Sequence, residues 1–116
     1  MFEVIFYENR NGYSQIREYI NSLETSNSKD SRIKLSRIQN NIMYLKIKGT
    51  RAGERFVKHL DEEIWELRPG DDRVLFAAWV NNKFVLLHQF LKTTQKTPPQ
   101  EIEQAKRELA DWNERN

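Results

Sequence analysis

Three strand-like segments separated by two turn signals occupy residues 64–92, and they constrain the fold more than any other feature of this sequence. Apolar and charged side chains alternate in the first segment, as they do in a half-buried strand. Pro69-Gly70 marks the first turn. Asn81-Asn82 marks the second, because asparagine tolerates positive φ better than other non-glycine residues. The pattern predicts an antiparallel meander with strands at residues 64–68, 73–80 and 83–92.

The elements outside the meander are one strand and three helices. A β-branched and aromatic segment predicts a strand at residues 2–7, and apolar residues at helical spacing predict a helix from Ser14 onward. A second apolar stripe predicts a helix over about residues 29–46, and Thr97 is expected to cap a final helix that begins at Pro98-Pro99. Residues 50–52 and the stretch around His59 are assigned to loops.

The element order is therefore β-α-α-β-β-β-α. We predict an α+β fold in which an antiparallel, twisted sheet carries helices packed on one face. Because the sequence has no repeat and no linker long enough to separate two cores, we expect a single domain over residues 1–116.

The composition excludes several kinds of chemistry. The chain has no cysteine and only two histidines, so disulfides, thiol nucleophiles and cysteine- or histidine-rich metal sites are ruled out. The four glycines are scattered and form no phosphate-binding loop. We expect no metal and no cofactor. The N-terminus resembles no signal peptide and the longest apolar run, residues 74–80, is too short to cross a bilayer. The predicted location is the cytoplasm, with no membrane partner.

Positive charge is concentrated in the middle of the chain. Residues 29–96 carry a net charge of +6, whereas residues 1–28 and 97–116 each carry −2. A positive face that binds a polyanion explains this distribution. The mixed, solvated surface of an ordinary small domain explains it as well.

Cationic side chains lie near one end of the meander. Arg68 and Arg73 flank its first turn, and strict alternation places His88 and Lys92 together on one face of the last strand. Such groups bind phosphate, and they also suit RNA cleavage, in which a 2′-hydroxyl loses its proton and attacks the adjacent phosphate. The sequence thus allows an anion-binding site on a sheet face.

Each of these residues also has a purely structural explanation. Arg68 and Arg73 can pair with neighbouring carboxylates, namely Glu66, Asp71 and Asp72. A histidine between apolar residues is more often structural than catalytic. Lys92 and Lys96 can be solvated strand and loop ends, and the tryptophans at positions 65 and 79 suit a core better than a base-stacking platform.

Two motifs resemble a known family. Glu66-Leu67-Arg68-Pro69 followed by Arg73-Val74-Leu75-Phe76, and then the stretch from Leu86 to Pro98, resemble the signature of the phage-derived Gp49-like, HigB-type toxins. These proteins belong to the RelE/ParE superfamily of type II toxin–antitoxin systems. The likeness spans nearly the whole chain, because the element order matches too.

The resemblance implies a metal-independent endoribonuclease, an mRNA interferase that cuts mRNA on the ribosome. It also implies a helix-turn-helix, HigA-like antitoxin partner, with operator DNA bound only through the antitoxin complex. Carried onto this chain, the family's site implies that Arg73 and Lys92 stabilise the transition state, Arg68 positions RNA, and His88 transfers a proton. Lys96 and Lys58 are expected to bind RNA. Relatives often carry a lysine pair where this chain has Lys92-Thr93, so the role of the second lysine is open.

Two other functions are compatible with the same fold. One is a ParE-like poison of DNA gyrase, which binds a protein target and cuts no RNA. The other is a non-catalytic module whose basic face contacts nucleic acid or a protein. The fold does not discriminate among them, because function depends on the site.

Overall fold

A five-stranded sheet lies at the centre of the computed structural model, which describes all 116 residues. Its order is β1-β5-β4-β3-β2, with antiparallel pairing from β2 to β5 and parallel pairing between β1 and β5. The strands are β1 (Glu3–Phe6), β2 (Val57–Asp61), β3 (Ile64–Leu67), β4 (Asp72–Trp79) and β5 (Lys83–Leu91). The predicted meander is confirmed and has one strand more than expected.

Three helices flank the sheet: α1 (Gln15–Thr25), α2 (Lys29–Lys48) and α3 (Pro99–Arg115). Serine side chains begin the first two. The Ser14 hydroxyl accepts a hydrogen bond from the backbone N–H of Arg17 at 3.2 Å, and the Ser28 hydroxyl accepts one from Ser31 at 3.1 Å. Each satisfies a backbone donor that the first turn of a helix leaves free. None of the helices combines the length and apolar character that crossing a bilayer requires.

The helices cover both faces of the sheet, so the prediction that they pack on one face is wrong. The cluster on the α1 and α2 side contains Ile16, Leu45, Val57, Leu67, Val74, Phe76, Phe84 and Leu86. The cluster on the α3 side contains Tyr7, Ile64, Leu75, Ala77, Val85, Leu87, Ala105 and Leu109. Both faces of the central strands are apolar because each is buried beneath helices.

A bulge in β5 changes which side chains share a face. The pairing of β5 with β4 shifts between Leu75↔His88 and Phe76↔Leu86, so Leu87 is an extra residue. Leu87 and His88 therefore both face α3, while Leu86 faces the other helices. Strict alternation along β5 would place His88 on the face of Leu86, and the bulge makes that assignment wrong.

Three local predictions also need correction. The stretch around His59 is the edge strand β2, and residues Gly49–Ala52 form a single 3₁₀ turn rather than a loop. Thr97 does not cap α3, since the N-cap residue is Pro98 and makes no side-chain cap bond. The Thr97 hydroxyl instead donates a hydrogen bond to Glu66 on β3.

Candidate functional site

A small open cleft lies where β3, β4 and β5 meet the segment that leads into α3. Polar side chains dominate its wall. Its lining consists of Glu66, Arg68, Arg73, Phe90, Lys92, Thr94, Gln95, Lys96, Thr97 and Pro98. Four of the six side chains predicted to form the site, those of Arg68, Arg73, Lys92 and Lys96, are thus brought together.

Glu66 is the carboxylate around which the cleft is arranged. Its Oε1 lies 3.5 Å from Nε of Arg68 and 3.7 Å from Nε of Arg73, and its Oε2 accepts the Thr97 hydroxyl at 2.5 Å. The residue is 3% exposed. A buried charge is tolerated only where opposite charges and hydrogen bonds compensate it, and here both are supplied.

Arg73 is fixed by the turn that precedes it. Its Nη1 donates to the carbonyl oxygens of Gly70 at 2.7 Å and Asp72 at 2.8 Å, and the residue is buried. Burial lowers the pKa of the guanidinium, the charge of Glu66 opposes that change, and the charge of Arg68 adds to it. Because an arginine stays protonated in proteins, Arg73 presents a fixed positive charge to the cleft.

Arg68 and the two lysines complete the positive wall. Arg68 Nη1 donates to the backbone carbonyl of Glu54 at 2.9 Å, which holds the side chain beside Glu66. Lys92 and Lys96 are exposed and make no ion pair. Their ammonium groups are therefore free to meet an anion that enters the cleft.

His88 lies outside the cleft, beneath α3. Its Nδ1 is 2.6 Å from Glu108 Oε1 and its Nε2 is 3.0 Å from Glu101 Oε1, and the side chain is 2% exposed. With both ring nitrogens engaged and no access to solvent, the ring cannot take a proton from a substrate in the cleft. The predicted proton-transfer role of His88 does not fit this placement.

Lys58 occupies a position next to the cleft rather than in it. It pairs with Glu66 across β2 and β3, so both side chains project from the same face of the sheet. It is exposed and does not line the cleft wall. An elongated ligand that extended from the cleft toward β2 would pass Lys58.

From the sequence alone, Glu66 is expected only to form ion pairs and Thr97 only to cap a helix. Alternation along residues 64–67 already placed Glu66 on the opposite face from the apolar Leu67. No comparable signal pointed to the contact of Thr97, because it joins residues 31 positions apart. No group of three or more His, Cys, Asp or Glu side chains is placed to hold a metal ion.

The model of one protein family matches residues 18–110 of the chain, and that family is described as phage derived protein Gp49-like (DUF891). The chain is a Gp49-like protein. The likeness expected from its two sequence motifs is therefore confirmed. The match includes the β3–β5 meander and every residue that lines the cleft.

The Gp49-like chain also resembles a solved structure, the archaeal RelE–RelB complex from Pyrococcus horikoshii OT3. The similarity has a TM-score of 0.55 and 16% sequence identity, and it covers 79% of this chain and 96% of that chain. At that identity the likeness concerns the fold, and it confirms the predicted RelE-like α+β architecture. No curated protein matches the sequence.

Proposed function

We propose that this protein is the toxin of a type II toxin–antitoxin system, of the HigB type, and that it cleaves mRNA on the ribosome. The observation that carries the proposal is the convergence of Arg68, Arg73, Lys92 and Lys96 in one cleft. A phosphodiester is the anion that such a cleft suits, since guanidinium groups bind phosphate oxygens through paired donors.

The reaction needs no metal. The 2′-oxygen attacks the adjacent phosphorus, the bond from phosphorus to the 5′-oxygen breaks, and the products carry a 2′,3′-cyclic phosphate and a 5′-hydroxyl. Arg73 and Lys92 neutralise the charge that develops on the phosphoryl oxygens, and Arg68 positions the strand. Glu66 is the one carboxylate that lines the cleft, and each of its oxygens keeps a second lone pair beside its present contact, so in contrast to His88 it can accept the 2′-proton. A lysine ammonium protonates the leaving oxygen.

A partner is part of the proposal. The solved RelE is in complex with RelB, which supports an antitoxin for this chain, and the proposed antitoxin is a HigA-like helix-turn-helix protein. Operator DNA is bound only through that complex. The single toxin domain acts in the cytoplasm and uses no cofactor.

Alanine variants of two cleft residues test the proposal. Arg73→Ala and Lys92→Ala should each abolish growth arrest while leaving antitoxin binding intact. Lys92→Ala should leave stability unchanged, whereas Arg73→Ala removes a cation from beside the buried Glu66 and should lower the free energy of unfolding by about 3 kcal/mol without preventing folding. Lys83→Ala is the matched control, because Lys83 lies on β5 at the opposite end from Lys92 and pairs with Glu3. It should stay toxic. Toxic, well-folded variants at positions 73 and 92 would remove the proposed site.

Primer extension on induced cells identifies the activity itself. New 5′ ends inside coding regions, absent with Arg73→Ala, are the expected result. Supercoiling defects without such ends would show a gyrase poison instead. Growth arrest with neither change would indicate a basic face that binds without cutting.

A further inference from the structure

A second cationic surface lies on the N-terminal half of α2. It is an open groove lined by Lys29, Arg32, Ile33, Ser36 and Arg37, all of them exposed. The one ion pair on this helix joins Lys34 to Asp30 at 3.6 Å, so the three cations of the groove have no carboxylate partner. Three neighbouring positive charges without counter-charges attract a polyanion.

The groove and the cleft meet at the turn between β3 and β4. Arg37 packs against Gly70 so closely that an added Cβ at that glycine would lie 2.9 Å from Nη1 of Arg37. The carbonyl oxygen of the same glycine accepts the hydrogen bond from Arg73 of the cleft. One turn residue is therefore in contact with an arginine from each surface, and the two surfaces adjoin.

Gly70 suits this position for two reasons. Its φ is +62°, a conformation that residues with a side chain rarely adopt, and a Cβ there would force the Arg37 side chain to move away. The turn that fixes Arg73 thus also lets Arg37 approach.

We propose that the α2 groove binds the sugar-phosphate backbone of the RNA strand whose scissile bond lies in the cleft. This inference rests on the proposed function and extends it to the flanking nucleotides. From Lys29 to Arg37 the helix rises about 12 Å, long enough for more than one phosphate. Ile33, which is 41% exposed among the cations, offers an apolar surface against which a ribose or base can pack. The two surfaces adjoin at the β3–β4 turn, which favours an RNA strand that continues from the cleft over an acidic protein segment that would need the groove alone.

Salt dependence measures the contacts directly. Each phosphate that a protein neutralises on a single strand contributes about 0.7 to the slope of log K against log salt concentration. Three cations therefore contribute a slope of about two. That contribution should be present for a long RNA and absent for one that fills only the cleft.

The experiment compares two 2′-O-methyl RNAs, which lack the attacking hydroxyl and so cannot be cut. One is a trinucleotide and the other about four times as long. The triple variant Lys29→Gln, Arg32→Gln, Arg37→Gln should bind the long RNA more weakly, with a salt slope smaller by about two, and bind the trinucleotide as before. Fluorescence anisotropy over a salt series gives both quantities.

The control removes the same charge elsewhere. The control variant combines three substitutions outside the groove: Lys34→Gln, Lys83→Gln and Lys106→Gln. Each of these lysines already forms an ion pair. This variant should keep most of the salt slope. The double variant Arg32→Lys, Arg37→Lys keeps both positive charges and should also keep the salt slope. It therefore separates the loss of charge from misfolding.

Two results would overturn the inference: an unchanged slope in the groove variant, or an equal loss in the control. Normal RNA binding combined with lost antitoxin binding would also overturn it and assign the groove to an acidic protein. Failure of the proposed function is seen separately. A protein that yields no new 5′ ends in cells but binds the long RNA through the groove is an RNA-binding module without the nuclease.

Discussion

Nδ1 of His88 lies 2.6 Å from a carboxylate oxygen of Glu108, and Nε2 of the same ring lies 3.0 Å from a carboxylate oxygen of Glu101. The ring thereby joins β5 to the first and third turns of α3. Burial opposes protonation of the ring, but the hydrogen bonds and charges of Glu108 and Glu101 outweigh burial and raise the pKa of His88. His88, for which the sequence predicts a role in proton transfer, instead links β5 to α3 through these two contacts.

The first prediction concerns the pH dependence of stability. Because the pKa of His88 is higher in the folded state than its ordinary value of 6.5, this group stabilises the fold fully below that pH. The contribution should be lost as pH rises through the folded pKa. Urea unfolding at a series of pH values measures the free energy of unfolding.

The control for this prediction is His88→Gln, which cannot titrate. Its free energy of unfolding should be lower than that of the parent protein by about 1–3 kcal/mol at acidic pH, because two carboxylates lose a charged partner. The difference should shrink as pH rises. Parallel curves for the two proteins would show that His88 does not carry the effect.

The second prediction concerns Glu66. Glu66→Ala removes the negative charge from between Arg68 and Arg73 and leaves a buried guanidinium unpaired, which should cost about 3 kcal/mol. Glu66→Gln keeps an acceptor for the Thr97 hydroxyl and should cost less. It should nevertheless lose cleavage activity, because an amide cannot accept the 2′-proton. A fully active Glu66→Gln protein would exclude the carboxylate as the base.

The third prediction compares two serines in or next to helices. Ser28→Ala removes the side-chain acceptor that caps α2 and should lower the free energy of unfolding by about 1 kcal/mol. Ser22 lies inside α1, is exposed and donates to the Tyr19 carbonyl, so Ser22→Ala should raise it by a few tenths of a kcal/mol. If the same Ser→Ala replacement lowers the free energy of unfolding at position 28 and raises it at position 22, then Ser28 lies at the start of a helix in solution and Ser22 inside one.

The fourth prediction tests the core beneath α1 and α2. Phe76 is fully buried and meets Phe84 edge to face, with ring centroids 5.5 Å apart. Phe76→Ala should destabilise the protein by about 3–5 kcal/mol. Val80, the residue that follows β4, is 55% exposed, and Val80→Ala should change stability by less than about 0.5 kcal/mol. Thermal or urea unfolding distinguishes the two.

Local patterns predicted most of the elements correctly. The starts of α1 and α2 could be predicted, because Ser14 and Ser28 are capping residues placed immediately before apolar stripes. The Asn81-Asn82 hairpin was readable for a similar reason, and both residues have positive φ, +57° and +59°. These features depend on interactions between residues close in sequence.

The edge strand β2 was missed because it lies at the margin of the sheet. Its five residues include three polar ones, and exposed edge strands typically carry charged side chains that discourage further pairing. His59 bonds to the carbonyl oxygen of Glu62 at 2.7 Å and meets the ring of Trp65 edge-on. None of these contacts is visible as an apolar alternation.

The candidate site was predictable in its cations and not in its geometry. Arg68 and Arg73 flank a turn, so their proximity follows from the hairpin itself. His88 lies on the same sheet face as Arg73 and Phe90, but α3 covers it and the carboxylates of Glu101 and Glu108 engage both ring nitrogens. No pattern within β5 indicates those contacts. The apolar stripe of α3 likewise predicts which side of the helix is buried. It does not predict against which face of the sheet the helix packs.

The parallel pairing of β1 with β5 has a consequence for how the chain is made. The partner of β1 lies some eighty residues later in the chain. During synthesis β1 therefore leaves the ribosomal exit tunnel unpaired. The cleft is complete only once the chain as far as Pro98 has emerged. A truncated product that stops before β5 would hold neither the completed sheet nor the lysines, and the ribosome that made it would release an inert fragment.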